Sequence, residues 1–110
     1  VKKLVYAGTE LITGDDIALG VLRYCEALAD ARTAEVIEIP VLTPGGSRSK
    51  ATFVLGPASQ IVAVDVQGAG EEIVDPDLME ILSQRTRAQR PQVTTVDPQE
   101  MGAQTGGYAI

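Results

Sequence analysis

Histidine is absent from this chain, and that absence excludes more chemistry than any other feature of it. Without imidazole there is no histidine general base, no Ser-His or Cys-His nucleophile and no histidine-bound metal. The single cysteine, Cys25, has no partner for an internal disulfide and cannot build a thiolate metal centre alone. Tryptophan is missing, and three Tyr and one Phe are the only aromatics, so the core has to be aliphatic. Positive charge is scarce: 15 acidic residues face 9 basic ones, a net charge of −6. Phosphate backbones attract proteins through Lys and Arg, so no nucleic acid is expected as a partner. The same balance disfavours an anionic membrane surface. No apolar run approaches the ~20 residues that span a bilayer. The opening Val1-Lys2-Lys3-Leu4-Val5-Tyr6 lacks the continuing apolar stretch of a signal peptide. A cytoplasmic protein is the expectation.

What is present suits one domain. A chain of 110 residues, 45% hydrophobic, can bury a core without metal or disulfide. Lys3-Leu4-Val5-Tyr6-Ala7 reads as a short strand ended by Gly8-Thr9. A helix follows from about Asp16 to Ala31, with Ile17, Val21, Tyr24, Cys25 and Leu28 on one stripe and Arg23, Glu26 and Asp30 opposite. Thr13, Asp15 and Asp16 stand where side chains cap a helix start.

Three further strands are expected over 35–42, 51–55 and 60–66, separated by Pro44-Gly45-Gly46 and Gly56-Pro57-Ala58-Ser59 turns. Short turns join antiparallel neighbours, so the segment 35–66 reads as a β-meander. Ile37, Ile39 and Val41 share a face, and Pro40 points to an edge or a bulge. Ile61-Val62-Ala63-Val64 is apolar on both faces, which predicts a central strand covered on its second side by the tail, the second helix or another subunit. That second helix, 76–90, has Asp75 as cap and Pro76 in first position, with Leu78, Ile81 and Leu82 as its apolar side. A last strand is expected over Gln92–Val96.

The fold class is therefore α+β: a two-layer, mostly antiparallel sheet with helix 16–31 on one face and helix 76–90 closing an end or edge. A mixed sheet with the first strand parallel to a meander strand is the alternative. Residues 1–96 form the single domain, and 97–110 a Gly-rich tail for which a partner subunit offers cover.

No residue earns a catalytic assignment, and no cofactor or metal site is expected. The glycines of Gly68-Ala69-Gly70 precede two glutamates and lack the spacing of a dinucleotide fingerprint. Pro44–Lys50 offers backbone N–H groups and two cations, but a hairpin tip explains it. Carboxylate pairs (Asp15/Asp16, Glu26/Asp30, Asp75/Asp77) are the acid-base candidates left, and capping or solvation accounts for each. Cys25 lies mid-stripe and reads as buried and structural. Arg85, Arg87 and Arg90 crowd a helix C-terminus, where the dipole favours them; an acidic or phosphate partner is the other reading. Gly106-Gly107 suggests a ubiquitin-like end, but Tyr108-Ala109-Ile110 follows it.

Leu11-Ile12-Thr13-Gly14-Asp15-Asp16, Val36-Ile37-Glu38-Ile39-Pro40-Val41 and Leu55-Gly56-Pro57-Ala58-Ser59-Gln60 together resemble an uncharacterised small-protein family of actinobacteria, over roughly residues 4–90. The resemblance implies no activity, cofactor or site residue.

Three functions are weighed, the last in rank being a nucleic-acid accessory protein that uses the Arg85–Arg90 stretch. The first is a non-enzymatic binding or assembly module that pairs with itself as a homodimer, with Ile61, Val62, Val64 and Tyr108 as interface residues. The second is a small-molecule binder or carboxylate-dependent enzyme, with Thr13, Asp15 and Asp16 meeting Ser59 and Gln60 in one pocket.

Overall fold

The computed structural model describes residues 1–67 and 71–89. The expected strand at 92–96, Arg90, the 97–110 tail and Tyr108 lie outside them. The elements are β1 (Lys2–Tyr6), β2 (Thr9–Thr13), α1 (Asp15–Ala31), β3 (Glu35–Leu42), β4 (Arg48–Leu55), β5 (Ile61–Asp65) and α2 (Pro76–Gln89). The two-layer α+β architecture is the one expected, and every strand pairing is antiparallel, so the mixed-sheet alternative falls away.

The sheet order is β4-β3-β2-β1-β5, and this corrects the meander. β3 and β4 do pair, along an unbroken register from Glu35↔Leu55 to Leu42↔Arg48. β5 instead pairs with β1, from Lys2↔Asp65 to Tyr6↔Ile61. It is thus an edge strand, not the central one that its apolar composition predicted. A short link joins first and last strands because the sheet curls. β2 and β3 share one pair, Ile12↔Leu42. Beyond it the Tyr6 hydroxyl reaches across to donate to the Val54 carbonyl. The Tyr6 and Phe53 rings meet there with centroids 5.3 Å apart.

β2 is the other difference. Ala7 and Gly8 both have positive φ, 51° and 79°, and link Tyr6 to Thr9 in a tight two-residue hairpin. That is the primed-turn geometry whose twist matches paired strands. Glycine takes it without strain, while alanine does so at a cost.

Alternation decides the core. Leu4 of β1, Ile37, Ile39 and Val41 of β3, and Leu55 of β4 are buried against Ile17, Val21, Tyr24 and Leu28 of α1. Pro40 interrupts nothing: its carbonyl accepts a 2.8 Å bond from the Thr13 hydroxyl, so its polar edge faces β2, where no ladder runs. α2 begins as its sequence dictates, with the Leu78 N–H donating to the Asp75 carboxylate at 3.1 Å. It packs on α1 where Gly20 offers no side chain; a Cβ there would meet Met79 and Leu82 at 3.2 Å. Of its expected apolar side, Leu82 is buried, Leu78 half-buried and Ile81 exposed.

Candidate functional site

The sheet's outer face, away from the helices, divides in two. On β3 and β4 it carries Glu38 with Lys50 at 3.8 Å and Thr52 at 3.3 Å, followed by the exposed pair Val36 and Val54. On β1 and β5 it is mostly valine. Val5 lies opposite Val62, and Lys3 opposite Val64. Strand alternation sends Ile61 and Ala63 toward the core, which leaves Val62 56% and Val64 43% exposed. Exposed valines are unremarkable singly, but a row of them on an edge strand offers pairing surface. Among the described residues, no strand hydrogen-bonds to the outer edge of β5.

At the β4–β5 link these valines border a groove of about 670 Å³, lined by Val5, Tyr6, Val54, Ser59, Gln60 and Val62 among others. Val54, 51% exposed, comes into it from β4. The hydroxyls there, of Tyr6 and Ser59, are already engaged. Ser59 Oγ accepts the Gly56 N–H at 2.9 Å and lies 3.2 Å from the Tyr6 hydroxyl. The groove is therefore mostly apolar, with its two hydroxyls bonded within the fold.

The other half of the expected pocket lies elsewhere. Thr13 pairs with Lys2, whereas Ile61, beside Ser59 and Gln60, pairs with Tyr6 at the far end of β1. The structure thus separates Thr13, Asp15 and Asp16 from Ser59 and Gln60 by the length of a strand. It brings Ser59 and Gln60 to Val62.

Nor do the three residues cap α1 as expected. The cap position is Gly14, with no side-chain cap bond. Thr13 is buried with its hydroxyl turned to Pro40, and Asp16 is exposed. The capping carboxylate comes from Glu72, whose Oε2 accepts the Asp15 N–H at 2.6 Å. The Val1 ammonium bridges Asp15 and Glu72, each at 2.9 Å. Those bonds raise its pKa and hold the Asp15 carboxyl below its ordinary value. Lys2, bound to Asp65, is likewise raised. Backbone packing is tightest here: a Cβ on Gly14 would stand 1.9 Å from the Ile73 carbonyl oxygen.

Burial pushes the Cys25 thiol up, away from the reactive thiolate. Tyr24, fully buried, is raised first by burial and then by Glu35, with Arg85 opposing, and its hydroxyl has no hydrogen-bond partner among the described residues. Among the described residues no three His, Cys, Asp or Glu side chains group as metal ligands. None of the described helices is long and apolar enough to cross a membrane.

Sequence reasoning missed Val5 and Val54 as surface residues. Val54 had a signal, since Thr52-Phe53-Val54-Leu55 is too apolar for a strand with one wet face. Val5 had none until β5 was placed beside it. Comparison of the chain with protein-family models, curated proteins and solved structures finds no match.

Proposed function

We propose that this chain is a non-enzymatic assembly module that acts as a homodimer, joined along the outer edges of two β5 strands. The observation that carries the reading is an apolar edge that, among the described residues, lacks the usual protection. Natural edges are blunted by lysine, proline, bulges or a covering element. Ile61–Val64 has no charge, and β5 is paired through its whole length with β1 on its other side, without a bulge.

The segment is also self-complementary. Val62-Ala63-Val64 reads the same in both directions, so a two-fold axis at Ala63 sets Val62 opposite Val64 of the partner subunit. Such an isologous contact closes on itself. It pairs β-branched residues across the strands, a favourable arrangement on an exposed sheet face. The two sheets would join into one of ten strands, counting five from each copy.

Native mass spectrometry over a range of concentrations tests this. A dimer that forms reversibly with concentration supports it, and a monomer at every concentration contradicts it. Small-molecule binding is the second reading, favoured by the groove beside Ser59 and Gln60. It no longer draws on Thr13, Asp15 or Asp16. A monomer that retains a small apolar ligand in the same experiment would move the assignment to that groove.

A further inference from the structure

We infer that a notch between α1 and α2 binds a phosphoryl group, either inorganic phosphate or the head of a small phosphate monoester. Gly20 creates the notch by letting Met79 and Leu82 close on the α1 backbone. That approach sets Arg23 of α1 beside Ser83, Thr86 and Arg87 of α2 around a space of about 130 Å³. Among the described residues its lining includes two arginines and two hydroxyl residues but no Asp or Glu.

In a chain of net charge −6 this is the unexpected arrangement. Acidic residues outnumber basic ones, yet two arginines line one notch that has no acidic residue among the described ones. The dipole accounts for Arg87, which lies in the last turn of α2. It does not account for Arg23, mid-way along α1, which makes no hydrogen bond or ion pair among the described residues. Arg87 is oriented by a 2.7 Å bond to the Ser83 hydroxyl. That hydroxyl accepts from Arg87, so its own proton is free to donate to an anion. The Thr86 hydroxyl offers a second donor.

Planar guanidinium forks match the oxygens of phosphate and bind it through charge-assisted hydrogen bonds. The space is large enough for one tetrahedral oxyanion. Both arginines are exposed, so affinity is weak and falls with salt.

The test is an amide NMR titration of the full chain with inorganic phosphate, at constant ionic strength and with chloride as the balancing anion. Saturable shifts at Gly20, Arg23, Ser83, Thr86 and Arg87 are expected. Arg23→Gln and Arg87→Gln should each weaken binding about tenfold or more while leaving the thermal midpoint unchanged. Repeating the titration with glycerol phosphate separates the sources: tighter binding than inorganic phosphate assigns an ester, weaker binding the free ion. Non-saturable shifts, an equal response to chloride, or undiminished binding by the double variant would overturn the site.

Discussion

β4 and β5 are the two edges of one curled sheet; both expose valine, Val54 on β4 and Val62 and Val64 on β5, but of the two only β4 also carries cations. β4 opens Arg48-Ser49-Lys50, and its outer face bears the Lys50–Glu38 pair. β5 presents Val62 and Val64 with nothing charged until Asp65. The first edge is built to stay single, because pairing it with another strand would crowd two rows of cations. The second carries no such deterrent. The two edges of one sheet thus differ: β4 carries cations, and β5 supplies the surface that association would bury.

The largest break in this comparison comes at the joint between the two halves of the sheet. Gly14→Ala forces a Cβ into the Ile73 carbonyl beside that joint, so α1 or the 71–75 segment has to move. Overpacking against rigid backbone should cost about 3 kcal/mol or more, a large part of a small domain's stability. Urea denaturation reads it directly.

Next in size is Val62→Lys with Val64→Lys. Both side chains already point outward, so the fold should persist while association weakens at least about a hundredfold, roughly 3 kcal/mol. Sedimentation velocity measures the change, and an unchanged dimer would remove β5 from the interface. Arg48→Val with Lys50→Val runs the comparison in reverse. Losing an exposed ion pair should alter monomer stability by less than about 1 kcal/mol. Light scattering should nevertheless show species above the dimer, since both edges are then open.

Thr13→Val deletes the donor to the Pro40 carbonyl and leaves that acceptor without its bond, at a cost of about 1–2 kcal/mol. Thermal unfolding would register it, and the loss should fall on contacts between β2 and β3. The smallest effect is alkaline. Cys25 and Tyr24 are both raised in the folded state, so their contribution is complete below their unfolded pKa values and is lost as pH rises through the folded ones. Stability should decline first above the ordinary thiol range, and Cys25→Ala should flatten the early part of that decline in pH-dependent urea melts.

Local patterns told much of this fold before any coordinates. The stripe of α1, the Asp75-Pro76 start of α2 and the Ile37-Ile39-Val41 face all follow from periods and caps that neighbouring residues set. The strand order does not, because it depends on which partner wins. β5 has the short link to β4 as its only visible cue, whereas the choice of β1 rests on five paired positions that are 55 to 63 residues apart in sequence. β1 itself seemed to stop at Gly8, because Ala7-Gly8 is a weaker hairpin signal than Asn-Gly. The same error carried into the candidate pocket: with β2 unseen, nothing showed that Thr13 and Ser59 sit at opposite ends of β1. Capping from a distance was equally hidden, since Glu72 reaches the start of α1 from 57 residues away.

The most direct test of the two-edge account is amide hydrogen exchange at protein concentrations on either side of dimer dissociation. Protection of Ile61–Asp65 should rise with concentration while that of Arg48–Leu55 stays constant. Constant protection in β5, or a rise confined to β4, would contradict the account.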